Sequence, residues 1–248
     1  MSKTVLITGA SRGIGRAVAV LCGKRGWNVG INFTSNSDAA DETLKAVQNA
    51  GGQGITVRGD VASEADVVAM FDATENAFGA IDGVVNNAGV ISTHMKFADQ
   101  DIDRWRRMID VNVIGSLLVA RETVRRLCIS RGGKGGSLVN LSSIAAVMGG
   151  AGEYVDYAST KGAIDSLTIG LSKEVAGDGL RVNAVRPGLI DTDIHTDGGW
   201  AERAKELGTT VPMGREGTPE EVGEAIVWLL SDEASYAVGA NLRISGGR

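Results

Sequence analysis

The sequence predicts an α/β domain with a doubly wound, seven-stranded parallel sheet and helices on both faces. Short runs rich in Val, Ile and Leu recur along the chain without polar alternation, as strands buried on both faces require. Between them lie segments whose apolar residues repeat at helical spacing. Strand–helix alternation of this kind implies right-handed crossovers and therefore a parallel sheet.

The strand runs fall at 5–8, 28–33, 55–58, 83–86, 137–141, 181–185 and 241–244. The first leads into a stripe of Ile14, Ala17, Val18, Leu21 and Cys22, which predicts a helix. Ala40, Leu44 and Val47 make the second stripe. Val67, Met70, Phe71 and Phe78 make the third, with Ser63 placed as N-cap ahead of Asp66. A late helix carries Val222, Ile226, Leu229 and Leu230 and is opened by Thr218-Pro219-Glu220-Glu221. Arg131-Gly132-Gly133-Lys134-Gly135-Gly136 reads as a surface loop. No linker or fixed-period repeat interrupts the pattern, so residues 1–248 are expected to form one domain.

Composition narrows the function. The formal net charge is −5 and no basic block stands out, which argues against nucleic acid. Arg104, Arg106 and Arg107, and again Arg121, Arg125 and Arg126, read as solvated helix faces. No apolar stretch reaches the length of a membrane span and the N-terminus lacks a secretory pattern. The expectation is a cytoplasmic protein with reduced Cys22 and Cys128. His94 and His195 are the only histidines and lie far apart, so no metal site is expected.

Two segments carry chemistry. Tyr157 and Lys161 are four apart on a helical stretch and point the same way. A nearby ammonium favours the ionised phenol, which makes the pair an acid/base for an oxygen-bound proton. Thr8-Gly9-Ala10-Ser11-Arg12-Gly13-Ile14-Gly15 follows the first strand and opens the first helix, the context of a dinucleotide cradle. An acid at the end of the second strand would bind an adenosine ribose and repel a 2′-phosphate. Here the segment is Asn32-Phe33-Thr34-Ser35, with no acid before Asp38. Arg12 offers a forked cation, and Asn32, Thr34 and Ser35 offer neutral donors. NADP(H) is therefore predicted over NAD(H).

With these residues in view, the chain resembles the short-chain dehydrogenase/reductase family, with its Rossmann fold, over essentially its whole length. The glycine motif above is joined by Asn86-Asn87-Ala88-Gly89, by Asn112 in Asp110-Val111-Asn112-Val113, and by Ser143 in Asn140-Leu141-Ser142-Ser143. Tyr157 and Lys161 follow, then Pro187, Gly188 and Thr192. The resemblance implies that Tyr157 exchanges the proton with the substrate oxygen. It implies that Lys161 lowers the Tyr157 pKa and holds the nicotinamide ribose. Ser143 would hydrogen-bond the substrate oxygen, and Asn112 would position a water leading from Lys161 to solvent. Asp60 and Val61 would flank the adenine, Asn87, Ala88 and Gly89 would line the cofactor cleft, and Ile190 and Thr192 would hold the carboxamide.

Residues 191–215 read as a lid over the substrate, with His195 and Trp200 as candidate contacts and His94 and Met95 on the opposite wall. The resemblance offers two substrate classes: 3-oxoacyl chains on a carrier protein, met by Lys134 and Lys173, or sugars and small carbonyl compounds. A nucleotide-sensing scaffold on the same fold is the non-enzyme alternative. The resemblance also implies a homotetramer using residues 102–126, residues 157–175 and the last strand. Val119, Leu127, Ile164, Leu167 and Leu171 are candidates for burial there or within the subunit.

Overall fold

The computed structural model describes residues 2–248. All seven strands form one parallel sheet in the order β3-β2-β1-β4-β5-β6-β7. They are β1 (Thr4–Ile7), β2 (Asn28–Phe33), β3 (Gln53–Arg58), β4 (Gly83–Asn86), β5 (Gly136–Leu141), β6 (Leu180–Pro187) and β7 (Asn241–Ile244). The chain leaves β1 toward β2 and returns to β1's other edge with β4. That reversal opens a crevice at the carboxyl ends of β1 and β4, where ligands bind in doubly wound sheets.

Successive strand residues face opposite ways, so each strand feeds two cores. Val5, Ile7, Val85, Val139 and Val185 pack with apolar side chains of α1 (Gly13–Lys24), α2 (Ser37–Asn49) and α10 (Pro219–Leu230). Leu6, Val84, Leu138 and Val182 pack with α3 (Glu64–Phe78), α5 (Ser116–Leu127) and α7 (Val155–Val175). The apolar stripes expected on α1, α2, α3 and α10 are the faces that supply these cores. Ser63 caps α3 by accepting the Asp66 N–H. Thr218 and Glu221 complete a reciprocal capping box at α10, with Pro219 in its first turn.

α4 (Ile102–Ile109) runs into α5 through a π-helical turn at Asp110–Gly115. That turn carries Asn112, and π-turns inside helices often mark functional sites. The short α6 (Ala145–Met148) precedes α7, and α8 (Ile194–Asp197) and α9 (Arg203–Gly208) lie in the expected lid. An Ile190↔Gly217 bridge closes the base of that lid.

Two charge readings need correction. Arg104 is not solvated: it and Asp156 form an ion pair with both side chains only 6% exposed. Arg126 joins three carboxylates, those of Glu122, Asp72 and Glu75. Sequence spacing showed helical faces, but Asp156, Asp72 and Glu75 arrive from other elements; only Glu122 shares a helix with its arginine. Val119, Leu127 and Ile164 are buried within the subunit, with Leu167 and Leu171 packed against the same core. The exposed apolar side chains of α4, the π-turn, α5 and α7 are instead Ile102, Ile109, Ile114, Leu117 and Ile169.

Candidate active site

A cavity of about 820 Å³ runs along the carboxyl edge of the sheet from the glycine loop to the lid. At one end lie Gly9, Ser11, Arg12, Ile14, Phe33, Thr34, Ser35, Asp60 and Val61. Asn87, Ala88, Gly89, Ser143, Tyr157, Lys161, Pro187, Gly188, Ile190 and Thr192 line its middle and far wall. The expected cofactor and acid/base residues thus share one space.

The glycine loop is pinned by backbone and amide groups. Gly9 sits at φ +62°, which a side chain rarely tolerates. A Cβ on Gly15 would meet the Gly9 carbonyl oxygen at 2.5 Å and Ala10 Cα at 2.9 Å. Asn87 donates through Nδ2 to the Thr8 and Gly9 carbonyls at 2.8 and 3.0 Å. Its own N–H and that of Ala88 donate to the Thr8 hydroxyl. The loop ends at Gly13, which opens α1, so the helix N-terminus is directed at the cavity edge. This close-packed, φ-positive turn at a helix start fits a dinucleotide pyrophosphate.

Asn32 does not line the cavity as expected. It is buried, accepts the Gly9 N–H at 3.1 Å and donates to the Val57 and Gly59 carbonyls. Its amide joins the loop to β2 and β3, leaving Phe33, Thr34 and Ser35 to face the cavity. Gly13 and Gly15 likewise shape the loop from behind without lining the space. Arg12 lines the cavity, but its guanidinium forms a fork with Asp197 of α8, both side chains about half exposed. Asp60 accepts the Ala62 N–H and lies 3.7 Å from Arg107, a lining cation that sequence reading had placed among solvated arginines.

At the chemical centre, Ser142 and Ser143 diverge as adjacent extended residues should. Ser142 is buried and donates to the Lys161 carbonyl, whereas Ser143 faces the cavity and accepts the Ala145 N–H. Lys161 is buried in α7 and donates through Nζ to the Leu141 carbonyl at 2.7 Å. Burial holds its pKa down at about 8, opposed by the charge of Asp165. Tyr157 behaves contrary to expectation. Burial pushes its phenol up to about 12, while hydrogen bonding to Ser143 and the charge of Arg203 pull the other way. Lys161 is not among the groups acting on the phenol; its ammonium donates to the Leu141 carbonyl and sits 5.6 Å from the ring centroid.

Asn112 is fully buried and does not line the cavity. It exchanges hydrogen bonds with the Val90 main chain at 2.8 and 2.9 Å and donates to the Thr160 hydroxyl at 3.2 Å. The π-turn thereby holds the segment after Gly89 against the helix that carries Tyr157 and Lys161. Asp156 reinforces that helix start. Its carboxylate accepts the Tyr157 N–H at 2.9 Å and pairs with Arg104, which also donates to the Thr93 carbonyl.

The lid contributes His195, Arg203 and Ile194 to the cavity, and the segment before α7 contributes Gly150, Ala151, Glu153 and Tyr154. His195 Nε2 lies 2.8 Å from the Ile190 carbonyl, so that nitrogen carries the proton and Nδ1 is left as an acceptor. Burial lowers the His195 pKa, which keeps the ring neutral at pH 7. Trp200, His94 and Met95 do not line the cavity. Trp200 packs against His94 at 5.7 Å and donates to Glu206, tying the lid to the opposite wall. Arg203, Glu153 and Arg248 line the cavity although nothing in their spacing marks them. No clusters of metal ligands occur among the described residues, and no helix there is long and apolar enough to cross a membrane.

A sheet that gathers a helix-start glycine cradle, a half-buried tyrosine and a buried lysine into one cleft defines an oxidoreductase of the doubly wound nucleotide-binding class. Comparison places the chain within that class. The family described as enoyl-(acyl carrier protein) reductase matches residues 9–248. The chain is 46% identical to the uncharacterized oxidoreductase YgfF of Escherichia coli (strain K12), over 98% of each chain. It is 36% identical to glucose 1-dehydrogenase 2 of Bacillus subtilis (strain 168), over 99% of this chain and 94% of that one. Its fold superposes with a TM-score of 0.91 on a 3-ketoacyl-(acyl-carrier-protein) reductase from Brucella melitensis complexed with NADH, at 30% identity over 99% and 98% of the two chains. The chain belongs to the short-chain dehydrogenase/reductase family and is an oxidoreductase acting on alcohol or keto groups.

Proposed function

We propose that this protein, one domain over residues 1–248, is an NADP(H)-dependent oxidoreductase that interconverts a carbonyl compound and a secondary alcohol. The observation that carries the reading is the convergence of Ser143, Tyr157 and Lys161 on the cavity that begins at the glycine loop. The nicotinamide nucleotide supplies or accepts the hydride when bound. Gly9, Ser11 and Ile14 would hold its phosphates at the start of α1, Asp60 and Val61 its adenine, and Ile190 and Thr192 its carboxamide.

The remaining roles belong to side chains of the chain itself. A phenol with a pKa near 12 is protonated at neutral pH, so it holds the proton that a carbonyl oxygen takes up during reduction. Ser143 supplies a hydroxyl to the same oxygen as charge builds on it. Lys161 returns a proton toward Tyr157 and binds ribose hydroxyls. Asn112 positions the water between Lys161 and solvent. Preference for NADP(H) rests on Arg12, Thr34 and Ser35 facing the cavity with no acid at the end of β2. A 2′-phosphate would compete with Asp197 for Arg12.

The 3-oxoacyl-carrier-protein and sugar readings both remain within this reaction class, the first supported by the superposing reductase and the second by the glucose dehydrogenase relative. A cytoplasmic homotetramer is part of the same reading. Exposed Ile109, Ile114 and Leu117 on one surface and Trp228, Tyr236 and Val238 on another support association. The test is nicotinamide absorbance with a panel of acyl thioesters, small carbonyls and sugars, NADPH and NADH run in parallel. Higher kcat/KM with NADPH is expected; higher kcat/KM with NADH overturns the preference. Nucleotide binding without turnover of any carbonyl or alcohol favours the scaffold alternative.

A further inference from the structure

The far end of the cavity holds an ion pair that proton transfer does not use. Arg203 of α9 donates through Nη2 to Glu153 Oε2 at 2.7 Å, and both residues line the cavity. The Arg203 side chain is 15% exposed and that of Glu153 37%. Arg203 Nε is buried with no hydrogen-bond partner, one of two such side-chain atoms among the described residues. Leaving a buried donor unpaired is costly, so such an atom marks a group that a ligand or a small shift of the lid would satisfy.

The pair is fixed from several sides. Glu153 N–H donates to the Gly150 carbonyl and its own carbonyl accepts the Met95 N–H. The Arg203 guanidinium lies over the Tyr154 ring at 5.4 Å and the Trp200 ring at 5.8 Å. Neutral His195 adds an acceptor, Nδ1, on the same lid. Arg203, Glu153 and Tyr157 all line the same cavity, so a ligand that touches the pair shares that space with the proton donor.

Resting on the oxidoreductase reading above, we infer that Glu153 and Arg203 form a substrate subsite for neutral, hydroxyl-rich molecules such as aldoses, ketoses and cyclic polyols. The chemistry selects among the alternatives. The pair carries no net charge and sets a donor beside an acceptor. Neighbouring hydroxyls, each both donor and acceptor, match that arrangement. A saturated acyl chain laid against it would cover a charged pair without replacing its hydration. A carboxylate substrate would meet the Glu153 carboxylate as well as the guanidinium. Tyr154 adds an aromatic residue to the cavity lining, its hydroxyl 3.5 Å from the Gly198 carbonyl.

The test compares kcat/KM for hydroxylated substrates with that for their hydroxyl-poor counterparts, such as inositols against cyclohexanol and aldoses against deoxyaldoses. The wild type is compared with the double variant Glu153→Gln/Arg203→Met, which strands no charge. Nucleotide binding, followed by fluorescence, serves as the folding control. The wild type should favour the hydroxylated member by roughly 10- to 100-fold, the worth of one or two hydrogen bonds to charged groups. That ratio should collapse toward one in the double variant. Preference for hydroxyl-poor members throughout the panel, or an unchanged ratio in the variant, overturns the subsite while the oxidoreductase reading stands. No turnover of any carbonyl or alcohol by nucleotide-bound wild type overturns both.

Discussion

The two ends of the cavity are held by different kinds of bond. The nucleotide end is a backbone structure: Asn32 and Asn87 hold the glycine loop through main-chain groups, and Gly15 leaves no room for a Cβ. The lid end is a side-chain structure. A bridge closes its base, but its outer helices are held by Arg12–Asp197, Arg203–Glu153 and Trp200–Glu206. Main-chain bonds among buried groups leave little freedom, whereas partly exposed ion pairs are weak and exchangeable. One end is suited to holding an invariant ligand and the other to opening, admitting and recognising a variable one.

The centre where the two ends meet should be the most sensitive. Tyr157→Phe removes the proton donor and should lower turnover by roughly 10²–10⁴-fold. Nucleotide binding, measured by fluorescence titration, should persist, because the phenol hydroxyl forms no part of the glycine cradle. Near-wild-type turnover would remove Tyr157 from the chemistry.

Next in size is the buried clamp beneath that centre. Asp156→Asn alone would strand the Arg104 guanidinium and should cost about 3–5 kcal/mol, read by denaturant unfolding. The paired change Arg104→Met/Asp156→Leu should recover much of that stability. Because Asp156 also accepts the Tyr157 N–H, the paired variant should keep its fold better than its kcat. Full recovery of both would make the clamp purely structural.

At the nucleotide end, Gly15→Ala should destabilise by about 1–3 kcal/mol through backbone overlap and should weaken nucleotide binding with it. Unchanged binding would mean that the loop yields as easily as the lid.

Lys161 gives a pH signature. Its folded pKa, about 8, lies below the ordinary lysine value of 10.5. Below pH 8 the folded state bears the cost of a buried ammonium. Between about 8 and 10.5 the folded protein has released a proton that the unfolded chain still holds, so stability should rise with pH across that window. Above pH 10 the raised Tyr157 pKa acts in the opposite direction, since the unfolded phenol ionises first. Thermal unfolding of wild type and Lys161→Met against pH checks this; an equal slope in both assigns it elsewhere.

The smallest effect belongs to the lid latch. Asp197→Asn should change stability by less than about 1 kcal/mol, as for other exposed pairs. It should nevertheless tighten NADPH binding relative to NADH by freeing Arg12, as measured by calorimetry. Loosened NADPH binding would mean that the pair presents Arg12 to the phosphate and does not withhold it.

Local patterns carried much of the fold. Strands 28–33, 83–86 and 241–244 coincide with the observed bounds, and the Ser63 and Thr218 caps form as their spacing predicts. These features depend on residues near one another in sequence: caps on one turn of helix, strands on a run of branched apolar side chains. Arg104 and Asp156 are 52 residues apart, so the change from solvated arginine to buried clamp had no local signal. Asn32 was drawn toward the cofactor because it ends a strand beside it. Its side chain turned inward because the Gly9 N–H and the Val57 and Gly59 carbonyls hydrogen-bond it there.

The sequence by itself determined the parallel sheet, the helix faces, the glycine cradle and the spacing that sets Tyr157 and Lys161 on one side of α7, since each follows from periodicity or short-range geometry. Only the tertiary structure decided which groups share a low-dielectric space. It committed Lys161 to the Leu141 carbonyl, raised Tyr157, paired Arg12 with the lid, and brought Glu153 and Arg203 together 50 residues apart. Burial and long-range pairing are properties of the packed chain, and those properties set the charge and selectivity of the site.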